Sequence, residues 1–212
     1  MNLVKSNIKI PVNGVVLDAI LTVPPQATAI VVFVHGSGSS RFSPRNNYVA
    51  EILQQAGLAT LLFDLLTEEE DLTYENRFNI KLLTKRLEQV TEWLLKQPNT
   101  KNFKVGYFGA STGSASAIIA AAELRSGIKA VVSRGGRPDL AADALTKITA
   151  PILLIVGGAD TVVIELNQGA YDSIKGEKSL QIIPNATHLF EEPGTLEEVA
   201  KLACAWFKKY LH

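Results

Sequence analysis

Ser111 stands at the centre of Gly109-Ala110-Ser111-Thr112-Gly113, directly after an apolar run at residues 103–108 and directly before a small-residue stretch at residues 114–122. Strand, sharp turn and helix follow one another there, with the serine at the apex and a glycine two residues to either side. A turn of this kind lifts the hydroxyl off the sheet edge, and its backbone is too cramped for bulky neighbours. It also sets the hydroxyl and the Thr112 amide at a helix N-terminus, where partial positive charge favours a developing oxyanion. Without its flanks the pentapeptide is an ordinary Gly/Ser turn. The flanks make it a nucleophile site.

A serine needs a base to take its proton at neutral pH. The histidines are His35, His188 and the final residue His212. His188 ends Ile182-Ile183-Pro184-Asn185-Ala186-Thr187-His188, on the loop after the last apolar strand. The base in turn needs a carboxylate to fix its tautomer and stabilise the imidazolium. Asp160 follows the run at residues 152–156 in Gly157-Gly158-Ala159-Asp160, and Asp139 follows the run ending at Ser133. The sharp Gly157-Gly158 turn favours Asp160. As the plainer alternatives, Asp160 would cap the next helix and His188 would be a loop residue. Three such residues, each after a separate strand, argue against both.

His35-Gly36-Ser37-Gly38-Ser39-Ser40 follows the run ending at Val34. A glycine-rich loop there can supply a second oxyanion amide, from Ser37, beside that of Thr112. His35 reads as support for this loop. A phosphate cradle is the competing reading, but the G-x-x-x-x-G-K-[ST] pattern is missing.

These loops need strands to carry them. Residues 4–10 and 15–23 alternate as strands joined by the hairpin signal Asn13-Gly14. After Pro24-Pro25, strands at 29–34, 59–63, 103–108, 130–133, 152–156 and 180–183 alternate with helices. The helices are read at 48–56, 80–94, 114–127, 140–145 and 165–174. A last helix starts at Thr195, with Glu198 completing a capping box. Continuous apolar strands between helices predict a mostly parallel α/β sheet covered on both faces, opened by an antiparallel hairpin. In such sheets ligands bind at the carboxyl ends of the strands. The longest loop, residues 65–79, carries Glu68, Glu69, Glu70 and Asp71 and reads as a solvated segment.

At 212 residues, with 47% hydrophobic and 20% charged side chains, the chain reads as one globular domain, residues 1–212. A formal net charge of zero offers no field for nucleic acid or an anionic membrane. No apolar run reaches the roughly 20 residues that span a bilayer, and no signal-peptide core follows Met1, so a soluble, cytoplasmic protein is expected. Cys204 is the single cysteine, which excludes a disulfide and a cysteine-built zinc site. Its place in the stripe Leu196, Val199, Ala200, Ala203, Phe207, Leu211 reads as a buried thiol on a helix.

With these residues in view, the chain resembles the α/β-hydrolases of the dienelactone hydrolase-like group over essentially its whole length. The carriers are His35-Gly36-Ser37-Gly38, Gly109-Ala110-Ser111-Thr112-Gly113, Gly157-Gly158-Ala159-Asp160 and Ala186-Thr187-His188. The resemblance implies an eight-stranded sheet, Ser111 as nucleophile, Asp160 as acid and His188 as base. Ser133-Arg134-Gly135-Gly136-Arg137-Pro138-Asp139 is similar to hydrolase modules fused to phosphoribosyltransferase domains in some bacteria; these 212 residues hold no phosphoribosyltransferase segment. True dienelactone hydrolases carry cysteine where this chain has Ser111, so an ester or lactone hydrolase is implied without dienelactone as its substrate. The interval from Arg134 to Pro151 is too short for a cap domain.

The expected activity is therefore cofactor-independent and metal-free hydrolysis of an ester-like bond in a small molecule. A thioesterase or small peptidase would use the same residues, and a non-catalytic binding module is the alternative from another class. Arg41, Arg45, Arg77, Arg134 and Arg137 all fall in or beside the loops at the catalytic edge. Arg41 and Arg137 are candidates to hold an anionic substrate in bidentate geometry. The plainer reading pairs these arginines with residues 68–71 to order the loops.

Overall fold

The computed structural model describes residues 3–211; Met1, Asn2 and His212 lie outside the described residues. The alternating N-terminal segments form β1 (Val4–Val12) and β2 (Val15–Val23), paired antiparallel across the Asn13-Gly14 turn with Val12 opposite Val15. The apolar runs that follow become β3 (Ala29–Val34), β4 (Ala59–Phe63), β5 (Lys104–Ala110), β6 (Ile128–Arg134), β7 (Ile152–Gly157) and β8 (Lys178–Ile183). They join in one eight-stranded sheet of order β1-β2-β4-β3-β5-β6-β7-β8. β2 and β4 are antiparallel, and every pair from β4 to β8 is parallel.

Helices cover both faces because the strands are apolar on both. On one face α1 (Pro44–Gln55) and α7 (Thr195–Leu211) bury Val49, Leu53, Val199 and Phe207 against Phe33, Phe108 and Val132. On the other, α3 (Ile80–Leu94) and α4 (Thr112–Leu124) set Leu87, Val90 and Ile118 against Val32, Tyr107 and Val131. α4 is mostly Ala, Ser and Ile, and its length from Thr112 to Ile118 is buried. Small side chains let it lie close against the sheet. Replacing a fully buried ring such as Phe207 with alanine would cost about 3–5 kcal/mol.

The chain runs from β3 outward to β4, then back across to β5 on the other side of β3. Adjacent strands β3 and β5 therefore send their following loops in opposite directions, which opens a crevice between them. The loop of His35 and the turn of Ser111 meet there. Between β6 and β7 come only a 3-10 turn at Pro138–Ala141 and the short α5 (Ala142–Leu145), so no cap domain is inserted there.

Several boundaries differ from the sequence expectation. α1 begins at Pro44 rather than residue 48, because the Ser43 hydroxyl caps it by accepting from the Asn46 amide and proline suits the first helical position. α6 (Thr161–Ser173) begins four residues before the expected residue 165; the β-branched Val162 and Val163 are weak helix formers, but Val163 is buried. Residues 65–79 are not a plain loop: α2 (Glu68–Asp71) is closed by a Thr67–Glu70 capping box, and a 3-10 turn spans Tyr74–Phe78. The expected Thr195–Glu198 box does not form. The Thr195 hydroxyl donates to the Glu192 carbonyl at 2.7 Å, and the Glu198 amide bonds to Gly194. Cys204 is partly exposed on α7 rather than buried.

Candidate active site

Ser111 has φ 50° and ψ −124°, a left-handed conformation for a residue with a side chain. It is held there from both sides. Its amide bonds to the Arg134 carbonyl, and its own carbonyl accepts from the amides of Ser114 and Arg137. Gly113 is required by close approach: a Cβ there would stand 2.3 Å from the Val34 carbonyl oxygen and 2.4 Å from that of His35. The first turn of α4 is thus pressed against the end of β3.

His188 lies on the loop after β8, and its Nε2 is 3.3 Å from Ser111 Oγ. Its Nδ1 is 2.7 Å from Asp160 Oδ2. An ionised carboxylate can only accept, so Nδ1 carries the proton and Nε2 is left to accept from the serine hydroxyl. Asp160 immediately precedes α6, yet its side chain makes no cap bond to that helix. The carboxylate is 16% exposed and the imidazole 38%, so the acid is sheltered while the base meets solvent. Asp139 is elsewhere engaged, bonded in bidentate fashion by Arg137 at 2.9 and 2.8 Å; those hydrogen bonds hold its carboxyl below the usual range.

Backbone contacts fix the two loops that carry acid and base. A Cβ at Gly157 would lie 2.3 Å from the Ala186 carbonyl oxygen and 2.7 Å from that of Thr187, so β7 touches the His188 loop directly. The Ala159 amide bonds to the Ala186 carbonyl. Glu192 accepts from both the amide and the hydroxyl of Thr187, at 3.0 and 2.6 Å.

The Thr112 amide is the first of α4 and has no acceptor within its helix. The Ser37 amide lies close by, but it donates to the Thr112 hydroxyl at 2.9 Å. The two expected oxyanion donors are therefore brought together, with the Thr112 side chain spanning them. His35 is buried: its Nδ1 donates to the Gly36 carbonyl at 2.9 Å, and its Nε2 accepts from the Leu65 amide at 3.1 Å. Burial holds its pKa below the usual histidine value, so it braces the loop as a neutral ring.

A cavity of about 310 Å³ opens on the Ser37 side, between the loops after β3 and β4. Its charged lining is Asp18, Arg41, Asp64, Glu68, Asp71 and Arg77, four carboxylates against two guanidinium groups. Arg41, a sequence candidate for substrate binding, is paired with Asp64 through both its amide and its side chain. Arg137, the other candidate, is paired with Asp139. The acidic run is not simply solvated: Arg77 bonds Asp71, and Arg86 bonds Glu70 at 2.6 Å.

The sequence had not pointed to Asn167. It is buried on α6, and its side-chain amide donates to the Gly136 carbonyl at 3.0 Å, tying the turn after β6 to that helix. Nor had it pointed to Asp64, the partner of Arg41. Both lie in segments without a motif, and only their folded neighbours give them a role.

The sheet order, the strained turn at Ser111 and the helices on both faces define an α/β-hydrolase fold. The chain belongs to the dienelactone hydrolase family, whose family model matches residues 17–211. It is similar to a dienelactone hydrolase from Anabaena variabilis ATCC 29413, with 55% identity, a TM-score of 0.97 and 99% of each chain covered. Est1E from Butyrivibrio proteoclasticus shares the fold at 20% identity, with a TM-score of 0.83 over 96% of this chain and 98% of that one. A Mycobacterium tuberculosis (strain ATCC 25618 / H37Rv) protein named as a phosphoribosyl transferase is 62% identical over 191 residues, which is 90% of this chain and 43% of that protein. The chain thus spans less than half the length of that relative. No described helix is long and apolar enough to cross a membrane.

Proposed function

We propose that the chain is a serine hydrolase that cleaves a carboxylic ester or lactone of a small molecule through an acyl-enzyme on Ser111. The observation that carries this reading is the hydrogen-bonded series Asp160, His188, Ser111, at 2.7 and 3.3 Å, ending on a serine in a strained turn. In the cycle, His188 Nε2 takes the Ser111 proton as Oγ bonds to the carbonyl carbon. The tetrahedral oxyanion is held by the amides of Thr112 and Ser37, the latter sharing its N–H between the Thr112 hydroxyl and the substrate oxygen. The imidazolium, stabilised by Asp160, gives its proton to the departing alkoxide. Water then attacks the acyl carbon, again with His188 as base, and frees the acid and Ser111. All proton transfers run through one imidazole.

The cavity beside Ser37 is assigned to an uncharged part of the substrate. Its carboxylates outnumber its guanidinium groups, and Arg41 and Arg77 are already paired. No metal or cofactor enters any step. Labelling with a fluorophosphonate probe tests the reading: one adduct, on the peptide containing Ser111, is expected. An intact protein that takes no label there, or takes it equally after Ser111→Ala, contradicts it.

A further inference from the structure

Four arginines, Arg41, Arg77, Arg86 and Arg137, each have a carboxylate partner in the chain. Arg134 does not. It ends β6 in the Ser133-Arg134-Gly135-Gly136 turn that resemblance had marked, and the residue is only 5% exposed. Of its five N–H donors, one reaches Asn46 Oδ1 at a long 3.5 Å, while Nε is buried with no acceptor among the described residues. The guanidinium lies over the Phe190 ring, 5.7 Å from its centre. Its charged neighbour is another cation, Arg45, in the first turn of α1. Burial, with repulsion from Arg45 added, pulls the Arg134 pKa down to about 10, so Arg134 remains charged at neutral pH. Arg45 bonds the exposed Glu191, at 3.1 Å from Nη1; its Nε is likewise buried with no acceptor among the described residues.

We propose that Arg45 and Arg134 form a binding site for a small oxyanion, a carboxylate or phosphate group, beside the loop that carries His188. A buried charge is tolerated when it is paired and hydrogen-bonded. Here the two guanidinium groups lie against the adjacent residues Phe190 and Glu191, each with a buried Nε that has no acceptor among the described residues, and Glu191 offsets a single charge from its solvent-facing position. An oxyanion between them accepts from both, in the bidentate geometry that guanidinium favours, and turns their repulsion into attraction. The location couples the site to the triad. Phe190 and Glu191, which touch the two arginines, follow His188 by two and three residues, and a Cβ on Gly135, next to Arg134, would lie 3.3 Å from the His188 carbonyl oxygen.

The test is binding of inorganic phosphate, and separately acetate, followed by calorimetry and by Tm against sodium chloride at equal ionic strength. Wild type is expected to show saturable binding and a matching rise in Tm. Arg134→Met and Arg45→Gln should each weaken binding by about tenfold or more, since each removes charged hydrogen bonds. Arg134→Met should fold with an undiminished Tm in chloride, because it removes an unpaired buried charge. Should that variant fail to fold, Arg45→Gln and the Nε–Hε signals of both arginines in wild-type protein, which should shift with phosphate, carry the test. A rise in Tm no larger than in chloride, or equal binding in the variants, overturns the proposal. A second arm, which does rest on the hydrolase reading, separates two sources of the anion. Competition by phosphate against a neutral ester would make the site the seat of the substrate's own acid group. An unchanged KM for that ester would make it the seat of a separate ligand.

Discussion

Asp160 stands at the N-terminus of α6 but turns its carboxylate away from that helix and onto His188 Nδ1, 2.7 Å away. A carboxylate at that position ordinarily caps the helix. Here the free amides of the first turn are left without it, and the imidazole gains a fixed tautomer. Exchanging Asp160 for asparagine should therefore keep the fold while lowering kcat by about 10³ to 10⁴, since the amide can present the wrong partner to Nδ1. Asp139→Asn should cost far less, because Asp139 is bonded to Arg137 and not to the histidine. Steady-state kinetics on both variants decide the matter: a larger loss in Asp139→Asn would move the acid to the turn after β6.

The Thr112 hydroxyl holds the Ser37 amide at 2.9 Å, and so sets the spacing of the two oxyanion donors. Thr112→Ser preserves that acceptor and should keep kcat near wild type. Thr112→Val removes it and should lower kcat by up to about tenfold, the usual worth of one such bond. If valine and serine variants turn over alike, the hydroxyl plays no part in placing the loop.

Gly157→Ala tests how firmly β7 carries the His188 loop. Its Cβ would meet two backbone carbonyls, which cannot swing aside as a side-chain end can. A loss of about 1–3 kcal/mol in urea denaturation is expected, together with a fall in kcat as His188 moves off Ser111. A variant with wild-type stability and rate would show that the contact is dispensable.

Glu88 on α3 is buried, with Lys85 Nζ at 3.1 Å. Burial and a hydrogen bond with Glu123 push its carboxyl up to about 7. The folded chain therefore binds this proton more tightly than the unfolded chain does. The resulting stability is present below about 4.5 and is lost as pH rises through about 7. Glu88→Gln, which mimics the protonated acid, should melt about 2–4 °C above wild type at pH 8, the shift that about 1 kcal/mol produces in a domain of this size. The gap should close toward pH 4. An equal gap at both pH values would mean that the carboxyl does not titrate in this window.

Sequence alone located what periodicity and turn chemistry encode. The alternating segments before and after Asn13-Gly14, the apolar runs of β3 to β8, and the Gly109–Gly113 turn are local signals, and each formed within a few residues of where it was read. His188 and Asp160 were legible because each follows a strand, and strand ends converge on one edge. Pairings between distant segments were not legible. Nothing near Arg41 in the chain announces Asp64, and nothing near Arg134 announces that, among the described residues, it is buried without a carboxylate partner. The same holds for α2, where an acidic run that reads as solvated becomes ordered by Arg77 and Arg86 from further along the chain. Such contacts are set by the packing of α3 and the loops around the sheet, which no local pattern carries.

The nucleophilic role of Ser111 is tested by ester turnover of Ser111→Ala, measured alongside circular dichroism and Tm. Loss of kcat by roughly 10⁴-fold or more in a protein that folds and melts as wild type does is the expected result. Retained turnover in a folded Ser111→Ala protein would contradict it.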